Sequence, residues 1–95
     1  MKLWLISQGA NNGYDTYDSA VVAAETKQQA KETSPSGYYV WKKDGWYFQY
    51  DDGTERNEGK TVYHWTDPSQ VDVRLIGNAV KGTEAGVICA SFNAG

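Results

Sequence analysis

Residues 19–32 read SAVVAAETKQQAKE, and the fold turns on how that stretch divides. Its first half, Ser19 to Glu25, is small and apolar at successive positions, which suits a strand buried on both faces rather than an amphipathic helix. Its second half opens with Thr26, followed three residues on by Gln29. That pair forms a capping box, in which the Thr hydroxyl accepts from the Gln29 amide and the Gln side chain returns to the Thr26 N–H. A helix therefore starts at Thr26 and runs through KQQAKE. It ends near Thr33, because Pro35 disfavours helical backbone at Ser34 and Gly37 follows. Ala30 is the only apolar residue in it.

Upstream, Lys2 to Ser7 is a second short apolar run, with Leu3 and Leu5 on one face and Trp4 and Ile6 on the other. It should pair with residues 19–25 as a hairpin in the middle of a sheet, across the polar loop from Gln8 to Asp18. Downstream of Asp67-Pro68, Val71, Val73 and Leu75 alternate with Asp72 and Arg74, giving a strand with one wet face. Gly86 to Phe92 forms a last strand. Between the helix and these strands, nine of the thirteen aromatic residues lie from Tyr38 to Trp65. Asp44-Gly45 and Asp52-Gly53 break that segment as turns, which predicts an aromatic-rich hairpin or meander. The whole is expected to be an α+β domain: a small antiparallel or mixed sheet, one short helix on one face, and the aromatic hairpin.

One helix of about two turns covers part of one face, while the first two strands are apolar on both. Either the aromatic segment folds over the second face or another copy of the chain does. The second option makes the protein a homo-oligomer with a cleft between subunits.

Ninety-five residues make a single domain, 1–95, burying roughly 60 to 65 per cent of the unfolded surface. A net charge of -3 with scattered basic residues argues against a duplex nucleic acid partner, whose affinity rests on many Lys and Arg contacts to phosphate. The lone Cys89, within GVICASF, excludes an internal disulfide and reads as a small buried hydrophobe in a reducing setting. MKLWLISQ is too short for a signal peptide, and no run approaches the ~20 apolar residues of a membrane span, so a cytoplasmic protein is expected.

No nucleophile, base and orienting acid are arranged as in a hydrolase, no phosphate-cradling glycine motif occurs, and no metal-ligand spacing is present. His64, between Tyr63 and Trp65, reads as structural. No catalytic residue, metal or cofactor is therefore assigned, and recognition is expected in place of catalysis. Two groups of residues are candidates. Among the aromatics, Trp46, Tyr47 and Phe48 are consecutive, so a strand sends them to opposite faces and some rings must meet solvent, a ligand or a partner. Trp41, Trp46, Tyr47 and Trp65 are the stacking candidates. In the loop NNGYDTYDS, Asn11, Asn12, Tyr14, Asp15 and Tyr17 either satisfy their own turns or hold sugar hydroxyls and base edges. A ligand phosphate would need Arg74, Arg56, Lys42 or Lys43, or backbone amides from the glycine loops, to hold its charge.

The opening MKLWLISQ, the block NNGYDTYDSAVVAAET with its helix KQQAKE, and the ending GVICASFNAG resemble a group of small bacteriophage- and prophage-encoded proteins. In these a DPSQV-like turn and a strand like VRLIG follow a Trp- and Gly-rich middle, so residues 38–65 look like a variable insert. The resemblance implies an anti-defence role in the host cell cytoplasm, without catalytic residues. Such a protein either sequesters a small nucleotide-derived immune signal between subunits or binds a host defence protein, in the manner of an anti-CRISPR protein. A phage accessory role outside immunity is the remaining option.

Overall fold

The computed structural model describes residues 1–11, 15–49 and 65–93. Strand β1 (Lys2–Ser7) pairs antiparallel with β2 (Thr16–Ala24), and helix α1 (Lys27–Lys31) follows. Strands β3 (Tyr39–Lys42) and β4 (Gly45–Phe48) form a separate hairpin. After a 3₁₀ turn at Pro68–Gln70 come β5 (Asp72–Asn78) and β6 (Gly86–Asn93). The main sheet has the order β5-β1-β2-β6 and is antiparallel throughout, with the two doubly apolar strands in its middle. This is the expected small α+β fold, with the antiparallel alternative realised.

Register explains the core. Trp4 lies opposite Val22 and Ile6 opposite Ala20, so alternation sends Trp4, Ile6, Ala20, Val22 and Ala24 to one face. All five are buried, and Ala30, Trp46, Trp65 and Val71 join them in one cluster. The Trp4 indole N–H is satisfied by the Ala24 carbonyl at 3.0 Å, which lets so large a ring sit 7% exposed without an orphaned donor.

Helix α1 has only five residues, too few to be stable alone. It is held by its cap, where Thr26 Oγ1 accepts from the Gln29 N–H at 3.1 Å, and by Ala30, which is fully buried. The reciprocal arm differs from expectation by one residue: Gln29 Oε1 accepts from the Glu25 N–H at 3.0 Å, not from Thr26. At the other end the Thr33 hydroxyl donates to the Gln29 carbonyl at 2.7 Å, and the Glu32 N–H turns back to Gln28 and Gln29.

The hairpin pairs Tyr39 with Phe48, Val40 with Tyr47 and Trp41 with Trp46. Lys42 pairs with Gly45, so Lys43 and Asp44 make the two-residue turn and Gly45 begins β4 as a buried position. The second expected turn, at Asp52-Gly53, lies outside the described residues, as do His64, Tyr50 and Tyr63. A single bridge from Thr33 to Val40 ties the hairpin to the end of α1. The Trp46 indole donates to the Thr66 carbonyl at 2.9 Å, anchoring β4 against the segment that leads into β5.

The hairpin and the helix thus share one face of the sheet. Of the two ways to cover the second face, folding of the aromatic segment over it is not the one adopted by the described residues. Leu3, Leu5 and Val21 are half-buried there, and no described helix or strand packs over them. Two further expectations are corrected. Leu75 is 53% exposed although it alternates with Val71 and Val73 and lies opposite Trp4, because β5 is an edge strand. Cys89 is exposed, because β6 is the opposite edge and Cys89 pairs with Val21 on the uncovered face.

Candidate cleft and exposed sheet face

The residues singled out from sequence fall into separate places. Asn11 anchors the start of its loop: its N–H donates to the Gln8 side chain at 2.7 Å, Gln8 Nε2 donates to the Asn11 and Tyr17 carbonyls, and Asn11 Nδ2 reaches the Trp65 carbonyl at 3.1 Å. Buried Gln8 is the centre of that network, which makes Asn11 a clamp between loop and core. Asn12 and Tyr14 lie outside the described residues. Asp15 is exposed with φ 59°, a left-handed conformation that Asp tolerates better than most residues. Tyr17 packs against the core cluster, with its ring 4.8 Å from that of Phe92.

Trp46 and Trp65 are each 2% exposed and belong to the core, so neither offers a face for stacking a ligand in this structure. Trp65 Nε1 has no hydrogen-bond partner. Trp41 is half-buried, edge-on to Trp46 with centroids 5.3 Å apart. Tyr47 donates from its hydroxyl to Asp44, with both carboxylate oxygens at 3.0 Å, and Lys42 Nζ lies 5.2 Å from its ring centre. Arg74 pairs with Leu5 across β5 and β1, on the uncovered face, away from the tryptophans. Among the described residues, the candidates do not converge on one site.

What the fold does bring together is a cleft of about 480 Å³ between the end of α1, the hairpin and the start of β6. Thr33 and Ser34 line one side, Tyr39 and Gln49 another, and Gly86 with Val87 a third. Its size falls within the range of small-molecule sites, and it mixes apolar walls with a few polar groups. The Ser34 and Ser36 hydroxyls are hydrogen-bonded at 3.0 Å, and the Gly37 N–H donates to the Ser34 carbonyl at 3.0 Å, closing the turn at its rim. Gly37 and Gly86 have φ 79° and 138°, conformations that a side chain at either position would strain.

The cleft's charge is one-sided. Among the described residues that line it, Glu32 is the only charged one. Such a lining suits a neutral or weakly cationic group with hydrogen-bonding edges better than a phosphate, which needs charge-assisted donors. Sequence reasoning missed Thr33, Ser34, Tyr39, Gln49 and Gly86. Only the aromatic cluster that includes Tyr39 and the Ser-Pro-Ser-Gly turn signalled any of it.

A second concavity, shallow and about 190 Å³ in volume, lies on the uncovered face, floored by Leu5 and Val21 and bordered by Ser19, Cys89 and Ser91. Among the described residues no three metal-ligating side chains cluster, and no helix is long and apolar enough to cross a membrane. Comparison with protein-family models, curated proteins and solved structures returned no match.

Proposed function

We propose that this chain is a phage-encoded, non-enzymatic binding protein that sequesters a small nucleotide-derived host immune signal, and that the cleft beside Tyr39 receives the base and sugar of that ligand. The cleft carries the reading. It has the volume for a nucleoside, one aromatic wall, and hydroxyl and amide groups at Thr33, Ser34 and Gln49. Its charge refines the expectation: with Glu32 at the rim and no basic residue among the described lining, phosphates would point away from these walls. The phage assignment rests on the likeness of the two chain ends, and action in the host cytoplasm follows from it.

Titration calorimetry with cyclic ADP-ribose-type and cyclic dinucleotide ligands should show binding at micromolar concentration or below. Tyr39→Leu keeps the apolar bulk but loses the ring. Base stacking on an aromatic is worth about 1–3 kcal/mol, so affinity should fall at least about fivefold while the fold persists. Silence of the wild-type protein across the panel removes this reading.

The runner-up is an inhibitor that binds a host defence protein. It is favoured by the uncovered sheet face, where half-buried Leu5 and Val21 floor an apolar hollow. Native mass spectrometry of protein recovered from infected cells separates the two, since one retains a small molecule and the other a stoichiometric polypeptide.

A further inference from the structure

We propose that the cleft beside Tyr39 selects guanine among the bases, and that Glu32 makes the choice by accepting from two adjacent donors, the N1–H and the N2 amino group, on the base's Watson–Crick edge. This selectivity rests on the reading of the cleft as a nucleotide site and names the base that the site takes.

The α1 side of the cleft is a wall of acceptors. Glu32 and Thr33 line it. A carboxylate accepts and does not donate, and it offers about four lone-pair positions. Gln28 Nε2 donates to Glu32 Oε2, which uses one of them and braces the side chain from one helical turn back. The Glu32 backbone is fixed as well, since its N–H closes α1 onto the Gln28 and Gln29 carbonyls. Thr33 supplies a second acceptor. Its hydroxyl donates to the Gln29 carbonyl at 2.7 Å, and because a carbonyl can only accept, the one hydroxyl proton is spent there. Lone pairs are what Thr33 Oγ1 has left for a ligand. A ligand edge facing this wall must therefore bring donors.

The remaining polar groups do not discriminate. Ser34 and Ser36 share a hydrogen bond in which either hydroxyl can donate, and the Gln49 amide and Tyr39 hydroxyl each carry both a donor and an acceptor. The antiparallel bridge between Thr33 and Val40 sets Ser34 beside Tyr39 and Glu32 toward Trp41, so a ring lying on Tyr39 turns one edge to the carboxylate. In the facing wall, Gly86 has nothing within 4 Å of where a Cβ would stand, which leaves room for a two-ring base.

Of the four bases, guanine alone meets acceptors with two neighbouring donors. Adenine and cytosine place a ring-nitrogen acceptor beside their amino group, which a carboxylate repels, and uracil flanks its one N–H with two carbonyl oxygens. Hydrogen bonds to a charged acceptor are the stronger kind, and a site built to pair a ligand group rejects the analogue that lacks it.

The test is titration calorimetry of the full chain with three cyclic dinucleotides that differ in the base alone, carrying guanine, hypoxanthine or adenine. Hypoxanthine keeps the N1–H and lacks the amino group. The guanine form should bind tightest, the hypoxanthine form at least about tenfold more weakly, and the adenine form more weakly still. Glu32→Gln keeps the side chain's size and offers one acceptor and one donor, the complement of adenine's amino group and N1. It should invert the order, the adenine form binding tighter than the guanine form, with unchanged circular dichroism. A wild type that holds the adenine form as tightly as the guanine form overturns the selectivity; loss of both affinities in Tyr39→Leu then shows that the cleft is still the nucleotide site. A guanine preference that survives Glu32→Gln overturns the role of Glu32. Silence with all three ligands removes the nucleotide reading and the selectivity with it. If Glu32→Gln fails to fold, the order of the three bases on the wild type still decides.

Discussion

Trp46 and Trp65 have equal burial and opposite polar bookkeeping. The Trp46 N–H reaches the Thr66 carbonyl at 2.9 Å, while the Trp65 N–H has no partner. A buried unsatisfied donor costs about 1–3 kcal/mol, whereas a made hydrogen bond contributes about 1 kcal/mol and leaves an orphaned acceptor when removed. Phenylalanine at each position loses similar ring area, so the difference isolates the N–H. Trp65→Phe should therefore be at least about 1 kcal/mol less destabilising than Trp46→Phe by urea denaturation. Equal losses would mean that the Trp65 N–H is satisfied in solution by water. Alanine at either position removes a core ring, at about 3–5 kcal/mol, a large share of the stability of so small a domain.

Among the elements, α1 is the one whose existence depends most on a single local contact. Five residues cannot offset nucleation, and Thr26 supplies the only side-chain cap at its start. Thr26→Ala should cost about 1 kcal/mol, and Thr26→Ser should recover most of it, as read from thermal melts. This element was legible in the sequence because its signals are local: Thr26, Gln29 and Pro35 act within a few residues of one another. β1 and β2 were legible for the same reason, since runs apolar on both faces belong in the middle of a sheet. The exposure of Cys89 was not, because GVICASF reads as a core strand until the sheet order makes β6 an edge. The roles of Trp46 and Trp65 were half legible. The consecutive Trp46, Tyr47 and Phe48 required rings on opposite faces, but which of them turn inward depends on how the hairpin sits on the sheet. The cleft was the least legible part, being assembled from the end of α1, the hairpin and β6, three segments with no shared pattern.

For the molecule as a whole, the decisive fact is that helix and aromatic hairpin crowd one face, while no described helix or strand packs over the other. If a second copy covers that face, folding and association are linked, and stability must depend on concentration. A tenfold rise in concentration is worth about 1.4 kcal/mol to a two-state dimer. For a folding unit of two such chains that corresponds to an increase in Tm of about 3 to 5 °C. Calorimetric scans over a tenfold concentration range should show that increase. A wild-type Tm that holds constant across the range would show that the uncovered face is tolerated by a stable monomer, leaving Leu5, Val21 and the β6 edge available to a different protein.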